Sequence, residues 1–332
     1  MARGSIRWGL LGAAGIAQGA FLPALREAGG GVPLVVGARD PARARSFATE
    51  HGVERAVQGY EAVVGDPEVD AVYVALPNAL HAAWTIRALE AGKTVLCEKP
   101  LCISPEQTAA VLEVARGAGG HLWEAFVFPF NAQTARLQEI LDEGEIGEPR
   151  EVDSVFHFLL DDPTDIRMDA GLAGGALLDV GCYPVRLARL LFEAGPERAV
   201  AEARTGASGV DEELWGIVRF PDDRVLRLSC GFRRPYDTST VLYGSRGTIR
   251  LTNPFHPEPA DTLEIRRGVD VSTEHPTTDE HSFTAALRHI HDVIGGRAAP
   301  VHLALDDAPE DARAVAMLAT AAGLERTGHP RS

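Results

Sequence analysis

Cysteine is scarce in this chain of 332 residues: four thiols, Cys97, Cys102, Cys182 and Cys230, with no C-x-x-C pair among them. That excludes a disulfide framework, fits a reducing cytoplasm, and reads the thiols as small buried hydrophobes. Long apolar runs are missing too. None approaches the roughly 18 to 20 residues of a membrane span, and Met1 to Arg7 leads into the strand-like Trp8-Gly9-Leu10-Leu11 rather than a secretory signal. Basic residues are outnumbered, 32 against 47 acidic, for a net charge of −15, which argues against nucleic acid or an anionic membrane as a general partner. Any anion the chain binds must meet a local site. What remains is a globular composition, 45% hydrophobic and 24% charged, and length for two domains at roughly 100 to 200 residues each.

From residue 6 to about 122 short apolar runs alternate with alanine-rich segments of helical spacing. This βα alternation predicts a Rossmann-type parallel sheet covered by helices on both faces. The expected strands are Ile6 to Leu11, Leu34 to Ala38, Ala71 to Ala75, Thr94 to Cys97 and Leu122 to Phe126; Ser104-Pro105-Glu106-Gln107 reads as the capped start of a helix. Beyond residue 122 one helix (Ala132 to Asp142) precedes runs of strands, so residues 123–305 predict an α/β domain with a large, mostly antiparallel, open-faced sheet. Pro254 to Glu280 reads as a long surface connection, and two helices close the chain, Ser282 to Ile294 and about Pro309 to Arg326. The segment from about 306 to 328 is expected to pack back on the first domain, residues 1–122.

Chemistry gathers at strand ends. Gly12-Ala13-Ala14-Gly15-Ile16-Ala17 follows the first strand and opens a helix, where backbone N–H groups and the positive helix end can receive a pyrophosphate. At the tip of the second strand, Ala38 offers no carboxylate and Arg39 a planar cation, with Arg43 one turn on. This favours NADP(H), while Asp40 keeps NAD(H) possible. Leu76, Pro77, Asn78 and His81 follow the strand at 71–75, and Glu98-Lys99-Pro100 follows the strand at 94–97, all where a parallel sheet presents a cofactor. In the second domain Asp179 and Tyr183 lie one helical turn apart, so both can project from one face. A lysine ammonium beside a tyrosine favours the phenolate, so Lys99, Tyr183 and Asp179 read as a proton relay.

Together these motifs resemble the Gfo/Idh/MocA family of NAD(P)-dependent oxidoreductases. The matching segments are Trp8 to Gly12, Asp70 to Asn78 with His81, Ala88 to Lys93, Glu98 to Leu101, Glu124-Ala125-Phe126, and Gly174 to Tyr183. Gly-Cys-Tyr at 181–183 is most similar to the branch of dimeric dihydrodiol dehydrogenases and NADP-linked xylose dehydrogenases. The resemblance implies that Lys99 orients the reacting oxygen, Tyr183 exchanges its proton and Asp179 supports both. It further implies Phe126 and Arg167 as substrate contacts, and a homodimer or homotetramer formed through the second sheet. Two departures stand out: Ala14 in place of a second glycine, and Phe128 to Gln133, where relatives carry Arg at the position of Pro129 and His-Pro at 131–132.

The expected activity is therefore hydride transfer between NADP and a CH–OH or C=O carbon of a sugar, cyclic polyol or dihydrodiol, without a metal. The protein supplies orientation and proton management. Two alternatives are a ketoreductase of nucleotide-linked keto-sugars, against which the acidic Asp161-Asp162 and Asp165 weigh, and a dinucleotide-binding regulator, which would not need the intact relay.

Overall fold

The computed structural model describes residues 4–118 and 121–324. Two compact units emerge: Met1–Cys102, Glu106–Val127 and His281–Ala308 form the first, and Ile103–Pro105, Phe128–Glu280 and Pro309–Ser332 the second.

In the first unit β1 (Ile6–Leu11) runs into a helix that passes through a π turn (Ala17–Phe21) before continuing as α1 (Leu22–Ala28). There follow β2 (Gly31–Ala38), α2 (Pro41–His51), β3 (Arg55–Gln58), the single turn α3 (Glu61–Val64), β4 (Ala71–Val74), α4 (Asn78–Glu90), β5 (Thr94–Cys97), α5 (Pro105–Ala118) and β6 (Leu122–Glu124). The six strands are parallel in the order β3-β2-β1-β4-β5-β6. The order reverses between β1 and β4, so a crevice opens beyond their carboxyl ends, where sheets of this kind bind ligands. β4 is buried along its whole length, as expected of a strand covered on both faces.

The second unit contains α6 (Ala132–Asp142), β7 (Pro149–Leu159), a π turn (Leu177–Gly181) continuing as α7 (Cys182–Phe192), and β8 (Arg198–Thr205) to β13: β9 (Asp211–Arg219), β10 (Val225–Gly231), β11 (Arg233–Asp237), β12 (Thr240–Gly244) and β13 (Thr248–Leu251). Two further strands, β14 (Leu263–Arg267) and β15 (Asp270–Glu274), complete a sheet ordered β15-β14-β13-β12-β7-β10-β9-β8, with β11 also paired to β7. Every pairing is antiparallel except β7 with β10. Leu214, Val218, Leu226, Leu228 and Leu242 are buried on one face. The alternate residues Trp215 and Ile217 are 42% and 39% exposed, so the other face is open.

Three expectations need correction. The boundary falls at 127/128 rather than 122. Pro254 to Glu280 is not a structureless connection, since it contains the β14–β15 hairpin, which turns at Gly268 (φ +60°) and buries Leu263 and Ile265. Flanking charges hide that two-residue alternation. Finally, the element that returns whole to the first unit is α8 (Ser282–Ile294); of the segment from about 306 to 328 only the residues up to Ala308 belong there, and residues 325–328 lie outside the described residues. Phe283, Leu287 and Ile290 of α8 are buried, Trp8 Nε1 donates to His291 Nε2 at 3.0 Å, and His291 Nδ1 lies 2.7 Å from the Gly29 carbonyl. The last helix, α9 (Ala304–Ala321), belongs to the second unit from Pro309 on, where Asp311 meets Arg186 at 3.4 Å and Arg189 at 3.3 Å.

Candidate active site

In the first unit the chain turns sharply after β1. Gly12 has φ +104°, and a Cβ there would stand 2.5 Å from the Ala75 carbonyl oxygen, so only glycine fits. Its N–H donates to Gly37 O at 2.9 Å, tying the turn to β2. Ala13 is buried and Ala14 half-buried, whereas Gly15 and Ile16 are exposed at the start of the helix, with nothing within 4 Å of a Cβ at Gly15. An exposed helix N-terminus over an uncluttered glycine fits a dinucleotide pyrophosphate.

At the tip of β2, Ala38 is buried and Arg39 exposed. Asp40 caps α2, accepting the Ala42 N–H at 2.8 Å. Arg43 braces the glycine turn, its Nη2 donating to the Ala13 carbonyl at 2.8 Å. The Tyr60 phenol lies beside Arg39 and Arg43; burial pushes its pKa up, against the pull of the two cations. Its ring meets Trp84 edge-on at 5.0 Å.

Beyond β4 and β5 two turns meet. Leu76 is buried, Pro77 half-buried, and Asn78 opens α4. His81, expected at the cofactor, is fully buried, with Nδ1 2.7 Å from the Pro100 carbonyl and Nε2 2.7 Å from the Leu76 carbonyl. Glu98 is also turned inward, accepting a hydrogen bond from Tyr73 OH, and Tyr73 stacks on Phe21 at 4.0 Å. Lys99 is half-buried at the rim, joined to Pro100 by a cis peptide bond. The Leu101 N–H donates to Glu124 Oε1 at 2.7 Å, which secures the far side of this turn to the β6 end, and Phe126 is buried just beyond.

In the second unit Gly174 and Gly175 let two chain segments close up. A Cβ on Gly174 would collide with the Arg167 carbonyl, and one on Gly175 (φ +109°) with Asp211 Oδ1. Asp211, which sequence reasoning passed over, accepts the Leu177 N–H at 2.6 Å and so caps the helix that carries Asp179. Its signal was three consecutive carboxylates, Asp211-Glu212-Glu213, inside a strand and all buried. Arg167 is brought to Asp179, with Nε 3.6 Å from Oδ2, and its guanidinium lies 5.5 Å over the Phe158 ring. Asp179 lies within the π turn rather than an α-helix, so the four-residue step to Tyr183 crosses from that turn into α7. Tyr183 is 8% exposed, against Phe156 (5.1 Å), Phe255 (5.2 Å), Phe128 (6.3 Å) and His256 (5.6 Å). Phe255 and His256 were also missed, being in the segment read as a connection. Asn131, at a departure from the expected pattern, caps α6 through Gln133 N–H at 2.8 Å.

Residues 6–126 match the family model described as an oxidoreductase family with an NAD-binding Rossmann fold, and residues 134–250 match the GFO/IDH/MocA C-terminal domain. The chain belongs to the GFO/IDH/MocA oxidoreductase family. Within that family it is 38% identical over 296 residues to the dTDP-3,4-didehydro-2,6-dideoxy-alpha-D-glucose 3-reductase of Saccharopolyspora spinosa, covering 87% of this chain and 88% of that one. It is 37% identical over 265 residues to D-xylose 1-dehydrogenase (NADP(+)) 2 of Haloferax volcanii, covering 79% and 81%. Among solved structures, a 3-ketoreductase from Actinomadura kijaniata in complex with NADP and TDP-benzene superposes with a TM-score of 0.88 at 32% identity, over 95% of this chain and 97% of that one. Structures of that ketoreductase with its lysine changed to alanine and its tyrosine to phenylalanine align as well, at TM-scores of 0.84 and 0.87. This GFO/IDH/MocA oxidoreductase thus has the two-domain architecture expected. Among the described residues no helix is long and apolar enough to cross a membrane, and no group of three or more His, Cys, Asp or Glu side chains could hold a metal ion.

Proposed function

We propose that the chain transfers hydride between NADP, in preference to NAD, and a CH–OH or C=O carbon of a sugar-type substrate, with Lys99 orienting the reacting oxygen, Tyr183 exchanging its proton and Asp179 supporting both. The observation that carries this reading is the division of labour at the end of β2. Asp40 gives one carboxylate oxygen to the α2 cap, and Arg39 stands exposed beside it. A ribose 2′-phosphate is therefore met by a guanidinium, which favours NADP. The bound dinucleotide supplies the hydride chemistry. The Gly12 turn and the helix start at Gly15 receive its pyrophosphate, and Arg43 keeps that turn in shape. Lys99, held at the rim by the Glu124-secured turn, orients the substrate oxygen with its ammonium. Tyr183, walled by phenylalanines, gives or takes the proton as the carbon changes oxidation state. In support of the pair, the lysine and tyrosine altered in the Actinomadura ketoreductase are separated by the same number of residues as Lys99 and Tyr183.

The nucleotide-linked keto-sugar reading gains from the reach of the Saccharopolyspora relative, which spans more of this chain than the xylose dehydrogenase does. A spectrophotometric screen at about 340 nm, the absorbance of the reduced nicotinamide, with NADP and NAD in parallel over aldoses, inositols, dihydrodiols and dTDP-linked keto-sugars, separates the readings. Equal use of NAD would refute the Arg39 assignment. The open face of the second sheet, with Trp215 and Ile217 exposed, is the surface through which we propose two or four copies assemble, and sedimentation of a Trp215→Lys variant as a monomer is the expected outcome.

A further inference from the structure

One of the rings packed on the buried Tyr183 is polar. His256 lies 5.6 Å from the Tyr183 ring and 5.7 Å from Phe156, and it is exposed. Its place is built rather than incidental. Phe255, fully buried, anchors the segment by stacking on Phe156 at 5.6 Å and meeting Phe128 at 5.5 Å. Asn253 then acts as a hub: its Oδ1 accepts from Thr238 Oγ1 at 2.8 Å and from the His256 N–H at 3.2 Å, and its Nδ2 donates to the His256 carbonyl at 2.5 Å. With Phe255 inward and the following backbone clamped, the exposed imidazole is held against the Tyr183 ring. The nearby carboxylate of Asp261 is engaged by Thr252 Oγ1 (2.9 Å) and the Glu258 N–H (2.8 Å), and the Tyr236 phenol donates to Asn253.

We infer that His256 exchanges the Tyr183 proton with solvent in each turnover, an inference that rests on the proposed role of Tyr183. A phenylalanine wall cannot carry a proton, whereas an imidazole titrates near neutrality and both accepts and donates. In the reductive direction the phenol O–H bond breaks as its proton passes to the substrate oxygen, while the carbon takes hydride from the reduced dinucleotide. The phenolate then takes an N–H proton from the imidazolium, and the neutral imidazole takes one from water or a buffer acid. In the oxidative direction each transfer reverses.

The test compares His256→Ala and Tyr183→Phe with the wild type, using D-xylose with NADP or a dTDP-linked keto-sugar with NADPH, whichever is turned over. His256→Ala is expected to lower kcat about tenfold or more, leave the KM for the dinucleotide within about twofold, and regain activity as imidazole is added to the medium. A wild-type kcat in this variant, or a loss that imidazole does not relieve, overturns the inference. Independently of activity, the NMR titration of the His256 ring is expected to move when Tyr183 becomes Phe, and an unmoved titration counts against the coupling. Wild-type turnover by Tyr183→Phe would instead overturn the chemistry on which the inference stands.

Discussion

The imidazole of His81 reaches the carbonyl of Pro100 at 2.7 Å, across the turn that presents Lys99. Its other nitrogen is 2.7 Å from the Leu76 carbonyl, so one buried side chain pins two ligand-bearing turns together. Burial lowers its pKa, the two carbonyls pull upward, and the Lys99 ammonium lowers it further.

Replacing His81 with Ala removes the imidazole N–H that serves these buried carbonyls, and leaving a buried acceptor without its donor costs about 1 to 3 kcal/mol. The expected result is a urea midpoint lowered accordingly, together with a fall in kcat larger than any rise in the KM for the dinucleotide, measured on the same preparation. Unchanged stability would show that neither contact matters.

Arg39→Ala and Arg43→Ala separate two roles that look alike in the sequence. A lost charge-assisted bond is worth about 1.5 to 3 kcal/mol, so Arg39→Ala should raise the Kd for NADP by roughly ten- to a hundredfold and leave NAD nearly untouched. Arg43→Ala, which frees the Ala13 carbonyl, should weaken both dinucleotides to similar degrees. Isothermal titration with each cofactor decides.

Gly12→Ala is predicted to abolish dinucleotide binding, because the added methyl meets the Ala75 carbonyl and φ is +104°. Gly15→Ala meets nothing within 4 Å, so the fold should tolerate it, and any loss of cofactor affinity there reports on the approaching pyrophosphate. Melting temperatures with and without NADP distinguish the two.

Asp311→Ala removes the buried carboxylate shared by the buried Arg186 and the half-buried Arg189. Breaking a buried pair from one side costs about 3 to 5 kcal/mol, and thermal unfolding is expected to start in the second unit, with α9 exchanging its amide protons earliest.

His157 makes stability depend on pH. Burial first, and the Arg234 guanidinium second, lower its pKa to about 4. The unfolded chain, with its imidazole near 6.5, therefore takes up a proton before the folded one does. The contribution is complete above the unfolded value and is lost as pH falls toward about 4. The urea midpoint of His157→Asn should be flatter with pH over that window than that of the wild type.

Local signals made the first unit readable. The βα alternation and the Gly12 turn depend on residues a few places apart, and β1 and β5 fall at the expected residues, as does α6 in the second unit. Candidate site residues could be sought at strand ends because parallel sheets present their ligands there. Roles were less so: the bond from Arg43 to the Ala13 carbonyl joins positions 30 residues apart, and His81 and Glu98 carry the polarity of cofactor contacts but bond to Pro100 and Tyr73.

The sequence by itself determined the cofactor domain, the strand-rich second domain and the identities of Lys99, Asp179 and Tyr183 as candidates, since periodicity, turn chemistry and motif order are properties of neighbouring residues. Only the tertiary structure decided which terminal helix returns to the first unit, that Asp211 caps the helix bearing Asp179, and that His256 stands against Tyr183. Each of those depends on a partner far along the chain. Trp8 and His291, for example, are 283 positions apart, and two amphipathic helices of similar pattern differ only in which distant surface satisfies their buried polar groups.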